Sequence, residues 1–549
     1  MNKLKIAVAV LAACGLGVWL AFDRILLVLP GIMDGIKHPT GPHQEVFWDQ
    51  GPAKPAQPPD KRPPNIIVIV ADDLGWNDLT FGGGGIAGGG MPTPNIDSIA
   101  RDGVRFANGY SGSGTCAPSR AAIMSGRYPT RFGFEFTPTP KGMGFLVGRF
   151  YDRPGILRQP LLFPERGEEL PFESMGMPPS EVTLAEVLRD AGYHTAHIGK
   201  WHLGDVAGMA AYEQGFDESL VLASGKYLPE NSPKVVNSRQ DFDPIDKFLW
   251  PTMKYATAFN GRPRFAPRGY LTDYYTDEAV KVIKANRNRP FFLYLAHWAP
   301  HTPLQASKED YDALSFIPDH RQRVYAAMIR ALDRGVGRVL DTLRTTGLEK
   351  NTLVIFTSDN GGAGYLGIDG VNDPFRGWKI TFFEGGIHVP FFMKWPARIE
   401  AGKEYAAPVH HFDIFSTAAA AAGASIPADR VIDGVDLLPH VGGAPDVPHR
   451  TLFWRSGHYQ VVLADGWKLQ TTERPDKTWL FNLKDDPTEQ KNLVDQFPDK
   501  VRELKALLAA HNAEQSPPSW PSLAEMPVSI DKTLAEPESA DDEYIYWPN

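Results

Sequence analysis

The sequence predicts an α/β fold: a mostly parallel sheet sandwiched by helices, followed by a smaller C-terminal α+β domain. Three observations carry that expectation. Short apolar runs recur at 65–70, 194–198, 290–296, 352–357 and 390–394, with helical patterns between them, and such alternation builds parallel sheets covered on both faces. After about residue 405 the pattern changes to closely spaced short strands at 451–454, 459–464 and 467–471, then one helix at 498–511. With 549 residues and 43% hydrophobic content, the chain can bury a large core.

The N-terminus comes first. Lys3 and Lys5 precede an apolar run from Ile6 to Phe22; Asp23-Arg24 interrupts it and Ile25 to Leu29 resumes. Seventeen residues are at the short end for crossing a bilayer, at about 1.5 Å of rise per residue, and long for the apolar region of a cleaved signal. Leu11-Ala12-Ala13-Cys14 resembles the lipobox of bacterial lipoproteins. An uncleaved anchor, a lipoprotein, a cleaved signal and a buried helix all remain open for residues 1–37. The first two attach the protein to a membrane. Lysines on the N-terminal side favour an exported catalytic part, on the periplasmic or extracellular face. Residues 38–64 hold eight prolines and read as an extended linker between membrane and enzyme.

The catalytic domain is expected over 65–404 and the C-terminal unit over 405–549. Thr183-Leu184-Ala185-Glu186 is a capping box opening a helix that ends at Gly192. Residues 321–345 read as a helix that Gly335 and Gly337 could bend. The glycine run 82–90 is a loop without the Gly-Lys-Ser/Thr ending of a phosphate loop.

Composition narrows function. A net charge of -9 and a pI near 5.9 offer no basic surface for nucleic acid. The two cysteines, Cys14 and Cys116, support neither a disulfide framework nor a CxxC metal site.

The ends of the expected strands carry the chemistry. Asp72-Asp73 follows the first, Gly199-Lys200-Trp201-His202 the second, His297 and His301 the third, and Asp359-Asn360 the fourth. Sites of parallel α/β sheets lie at the carboxyl ends of strands. Asp72, Asp73, Asp359 and Asn360 offer only hard oxygen donors, which suit Ca²⁺ or Mg²⁺. A cation would explain how adjacent carboxylates could gather. Cys116-Ala117-Pro118-Ser119-Arg120 runs to Gly126-Arg127. Pro118 suits a first helical turn and Gly126 a stop, so Cys116 is expected just before a helix N-terminus, a natural anion site.

This segment resembles the C-x-P-S-R signature of the type I, formylglycine-dependent sulfatases of the alkaline phosphatase superfamily. Ala71-Asp72-Asp73-Leu74-Gly75, Gly199-Lys200-Trp201-His202-Leu203-Gly204, Pro300-His301-Thr302-Pro303, Ser358-Asp359-Asn360-Gly361, Arg376-Gly377-Trp378-Lys379 with Glu384-Gly385-Gly386, and the run Leu480–Pro487 are similar to the same family. The resemblance spans about residues 64–512. His388 stands where that family often has Arg, and Met124-Ser125-Gly126 where Leu-Thr-Gly is common.

The resemblance implies that a maturase oxidises Cys116 to formylglycine, whose hydrate attacks sulfur. Asp72, Asp73, Asp359, Asn360 and the modified Cys116 would hold the metal. Arg120 and Lys200 would hold the hydrate, Lys379 the sulfate; His301 would protonate the leaving oxygen and His202 assist release. His297 is read as structural. The implied substrate is a small sulfate ester. Three rivals stand beside it: a phosphonate monoester or phosphodiester hydrolase of the same superfamily, a membrane-tethered binding protein, and a hydrolase using unmodified Cys116. An insertion over 132–182, rich in Phe, Met and Leu, is expected either to pack onto the domain or to form an apolar hood. The hood would favour aryl sulfates.

Overall fold

The computed structural model describes residues 22–549 apart from 141, 152–154, 164–165, 167–170 and 207. The apolar run before Phe22, with Cys14, lies outside the described residues.

Asn65–Ala71 (β1) is buried at every position. Side chains alternate along a strand, so Ile66, Val68 and Val70 enter one core while Ile67, Ile69 and Ala71 enter another. That double burial places β1 mid-sheet. Its partners are Val104–Phe106 (β2), His194–Gly199 (β3), Glu218–Gly225 (β4), Tyr255–Phe259 (β5), Phe291–Ala296 (β6), Thr352–Ser358 (β7), Phe391–Lys394 (β8) and Lys403–Tyr405 (β9). The order is β9-β2-β8-β7-β1-β6-β3-β4-β5. The central five, β7 to β4, are parallel; β8 and β5 close the two sides antiparallel.

Helices cover both faces. Pro94–Arg101 (α1), Leu271–Ala285 (α4) and His320–Thr345 (α5) pack on one. Cys116–Ser125 (α2), Leu184–Asp190 (α3) and Asp413–Ala422 (α6) pack on the other. The α3 capping box is complete: Thr183 N–H donates to Glu186 at 2.7 Å and Glu186 N–H to Thr183 Oγ1 at 3.1 Å. Gly335 and Gly337 leave α5 unbroken. They are contact points: a Cβ at Gly335 would lie 2.5 Å from Thr276 Oγ1 of α4, and one at Gly337 2.5 Å from Asn95 Oδ1 of α1. The C-terminal unit is a four-stranded antiparallel sheet, Thr451–Ser456, Tyr459–Ala464, Trp467–Glu473 and Asp476–Asn482, with Pro498–Ala513 (α7) laid on it through Leu504 and Leu508.

Two expectations are corrected. The proline-rich segment 38–64 is no free spacer. Val46 and Trp48 are buried in the main core, Trp48 Nε1 donates to Glu278 at 2.7 Å, and Asp49 N–H donates to Glu218 at 2.8 Å. The apolar residues among the prolines fasten it to the domain. The hood expected of the insertion 132–182 is corrected at its first three phenylalanines, which take the packed alternative, while Phe172 is exposed. Phe132, Phe134 and Phe136 are buried in the core, with the Phe134 ring 5.1 Å from Trp520. Met143–Phe150 is helical, and Leu161–Leu162 pairs with the strand Ala524–Ser529. The C-terminal segment thus supplies the partner that the insertion lacks locally.

Phe134→Ala is therefore expected to cost about 3–5 kcal/mol of stability, as for other buried Phe truncations, read by urea denaturation. The ratio of specificity constants between any two substrates should stay unchanged; a selective loss on aryl esters would restore the hood.

Candidate active site

The strand ends converge as parallel topology requires. Asp72 and Asp73 leave β1, Lys200 and His202 leave β3, His301 follows β6, and Asp359 and Asn360 leave β7. The backbone is bent hard here. Asp73 and His202 both have φ of 64°, a left-handed conformation costly for residues with a Cβ. Gly199 permits the turn into Lys200, since a Cβ there would lie 1.9 Å from Ala296 O.

Cys116 is the first residue of α2, slightly further into the helix than expected, and Gly126 ends that helix at φ 68° with its N–H on Ala122 O. The thiol is buried. Its Sγ lies 3.5 Å from Asp72 Oδ1 and 3.7 Å from Asp73 Oδ1. Burial, then Asp359, pushes the thiol pKa up.

Each carboxylate has its own cation. Arg120 is fully buried and donates from Nε and Nη2 to Asp359 Oδ2 at 2.9 and 2.7 Å, with Nη1 on Lys200 O at 3.0 Å. Lys200 Nζ reaches Asp72 Oδ2 at 2.8 Å. Lys379 Nζ reaches Asp73 Oδ1 at 2.7 Å. Burial alone would raise Asp73, but Lys379, His301 and Lys200 override it and hold this carboxyl well below the usual range. Lys379, Lys200 and Arg120 thus offset part of the repulsion among the carboxylates, while burial and Asp72 still raise Asp359.

Asn360 Nδ2 donates to Asp73 Oδ1 at 2.9 Å, and its Oδ1 is buried without a hydrogen-bond partner. Asp72, Asp73, Cys116 and His301 bring ligand-capable atoms within 4.8 Å of one another. Asp359 stands outside that group because Arg120 takes its Oδ2 and the Asp73 N–H its Oδ1 at 3.2 Å. An unsatisfied amide oxygen among buried carboxylates fits a hard divalent cation.

The two histidines differ. His301 stacks on Trp298, ring centroids 3.9 Å apart, and places Nδ1 2.7 Å from Thr302 O. Nδ1 must carry the proton to donate there, so Nε2, 3.6 Å from Asp73 Oδ2, is the titrating nitrogen. Burial, only partly offset by Asp73, lowers His301 to about 3. His202 is buried with Nδ1 unpartnered, and burial, then Lys200 and Arg120, keep it neutral. His297, outside this cluster of contacts, is buried with both ring nitrogens unpartnered.

Sequence reasoning missed Tyr365. Its hydroxyl donates to Asp73 Oδ2 at 2.6 Å and accepts from Lys379 Nζ at 3.0 Å. No motif marks it; it comes from a short loop helix, Gly364–Leu366.

Comparison with known proteins agrees with this geometry. The Sulfatase family model matches residues 64–424, and the model for the C-terminal part of N-sulphoglucosamine sulphohydrolase matches 377–514. N-acetylgalactosamine-6-sulfatase of Mus musculus is 35% identical over 69% of this chain, an alignment spanning 66% of that relative, just under two thirds. Steryl-sulfatase of Mus musculus is 31% identical over 85% of this chain and 84% of its own. A crystal structure of Ps i-CgsB in complex with k-i-k-neocarrahexaose superposes with a TM-score of 0.69 at 30% identity, covering 84% of this chain and 95% of that one. Together with the cysteine, the paired carboxylates and the cations around them, these matches show that the chain belongs to the sulfatase family.

Proposed function

We propose that the protein hydrolyses a sulfate monoester carried on a saccharide, using a formylglycine made from Cys116 and a hard divalent cation, Ca²⁺ or Mg²⁺. The observation that carries this reading is the convergence of Cys116, two carboxylates, three cations and two histidines on one buried point. The saccharide preference rests on the relatives, named for N-acetylgalactosamine-6-sulfate chemistry or crystallised with a neocarrahexaose. It also rests on the burial of Phe132, Phe134 and Phe136, three of the residues expected to form an aryl-binding hood.

Asp72, Asp73, Asn360 and Asp359, beside residue 116, would hold the cation. Such a cation supplies fixed positive charge beside the reacting oxygen. One hydroxyl of the formylglycine hydrate would give its proton to a carboxylate beside residue 116 and attack sulfur as the bond from sulfur to the sugar oxygen breaks. His301 Nε2, bare in the substrate-free site, would take up a proton when the sulfate's negative charge arrives and then deliver it to that oxygen. The second hydroxyl then loses its proton toward His202, the carbonyl re-forms, and sulfate leaves. Lys379 and Lys200 hold the sulfate oxygens, and Arg120 fixes Asp359. Charge stabilisation by preorganised donors is the largest contribution such a site makes. Unmodified Cys116 is a poor nucleophile here. Its partners are carboxylates, no histidine is placed as its base, and burial favours the thiol. A maturase that oxidises Cys116 is the partner this reading requires.

The deciding experiment compares specificity constants for sulfated mono- and oligosaccharides, an aryl sulfate and an aryl phosphonate ester. Sulfated saccharides should be preferred. Preference for the phosphonate would move the protein to the sister activity; preference for the aryl sulfate would overturn the saccharide reading alone.

In active protein, the peptide containing Cys116 should show sulfur replaced by oxygen with loss of two hydrogens, and a hydrazide-reactive aldehyde. An unmodified thiol in fully active protein removes the mechanism. Exhaustive chelation should abolish turnover and lower the melting temperature, with Ca²⁺ or Mg²⁺ restoring both; full activity with verified loss of metal would contradict the cation. Tyr365→Phe removes both hydrogen bonds to a charged pair, each about 1.5–3 kcal/mol, so kcat/KM should fall at least about tenfold. An unchanged kcat/KM would show that Tyr365 does not position Lys379.

A further inference from the structure

The described helix at residues 22–37 is built the wrong way round for a globular protein. Its inner face is small and charged: a Cβ at Gly31 would lie 2.4 Å from Pro251 O, and Asp34 pairs with Arg264 at 2.8 Å. Its outer face carries Ile25, Leu29, Ile32, Met33 and Ile36, all exposed, with Ile36 at 75%. Those positions follow the three- and four-residue spacing of one helical face. Phe47, on the strap that follows, is 84% exposed. Of the twenty large apolar side chains exposed among the described residues, eight fall within 22–47. Elsewhere such residues are scattered, which needs no explanation; a clustered apolar surface does.

We propose that this face of helix 22–37, together with Phe47, lies in the surface of a lipid bilayer and holds the catalytic domain in one orientation against it. The occupant is argued from the chain itself. Directly before the helix stand Lys3, Lys5 and the apolar run from Ile6 to Phe22, so the exposed stripe continues an apolar segment. No described helix is long and apolar enough to cross a membrane, and a helix apolar on one face suits the interface plane. The chain's net charge of -9 favours apolar insertion over attraction to anionic lipid, so high salt should not release this face. A run of neighbours joins the helix to the site: it rests on Pro251 and Thr252, Met253 and Trp298 both flank Gly225, and Trp298 stacks on His301. The inference is independent of which sulfate ester is cleaved.

The test uses the full chain carrying Cys14→Ser, with single cysteines at Ile32, Ile36 or Phe47 bearing a spin label, Cys116 being buried. Phe316, an exposed apolar residue away from the helix, serves as control. On adding phosphatidylcholine vesicles, labels at the three positions should lose access to a water-soluble relaxation agent and gain access to oxygen, while the Phe316 label changes in neither. Labels that remain open to the water-soluble agent on vesicle-bound protein overturn the proposal. So does shielding without vesicles, which would mean coverage by residues 1–21, and shielding that grows with protein concentration, which would mean a second copy. Ile32→Glu/Ile36→Glu should abolish oxygen access at Phe47 while leaving turnover of a soluble sulfate ester unchanged; retained access also overturns it.

Discussion

The structure depends on holding three carboxylates and three cations together where water is largely excluded. Asp72, Asp73 and Asp359 are each matched by Lys200, Lys379 or Arg120 at 2.7–2.8 Å. In such surroundings removing one partner strands the other, at about 3–5 kcal/mol. The pairs therefore tie together the ends of three strands, helix α2 and the loop that carries Lys379. Arg120 shows the demand best: it reaches from α2 on one face to the end of β7 and also binds the backbone of Lys200 after β3. A helix, two strands and a loop are fixed by one guanidinium.

The C-terminal unit extends the same logic to Lys379. The loop carrying it, 376–384, is held at one end by Tyr459, whose hydroxyl accepts from the Phe382 N–H at 2.9 Å. Beyond it, Lys468 is fully buried and pairs with Glu384 at 2.7 Å and Glu489 at 3.0 Å. Burial pushes Glu489 up to about 7, while Lys468 overrides burial and draws Glu384 down to about 2. His388 joins this cluster, its Nδ1–H donating to Glu384 at 2.9 Å, so the departure from the arginine common at that place is absorbed by a second buried carboxylate pair. The C-terminal sheet is thus a brace for the sulfate-side lysine.

Much of this was legible in the sequence. The runs at 65–70, 194–198, 290–296 and 352–357 are doubly buried parallel strands, and such strands are read from unbroken apolar stretches bounded by turn residues. Asp72, Asp73, Lys200, His202, His301, Asp359 and Asn360 stood out because they follow those strands, whereas Cys116, Arg120 and Lys379 stood out only through the family resemblance. What stayed hidden depends on distant segments. Tyr365 reaches Asp73 only because its loop folds over the site. Val46 and Trp48 were lost in a proline-rich stretch whose composition outweighed two apolar residues. The phenylalanines of the insertion could not be assigned to core or cleft without Trp520, almost 400 residues away in sequence. Charge pairing was hidden for the same reason: the carboxylates were adjacent in sequence and their lysines were not.

The burial of Cys116 sets a clock. Every residue of α2 is buried, and the thiol sits beneath carboxylates and lysines. No enzyme could grasp that side chain in the finished fold. An oxidation at residue 116 has to be completed while the chain is still open, in competition with collapse of the sheet around it. On the proposed mechanism each molecule's competence would be decided once, during its synthesis, and a molecule that folded first would stay inactive.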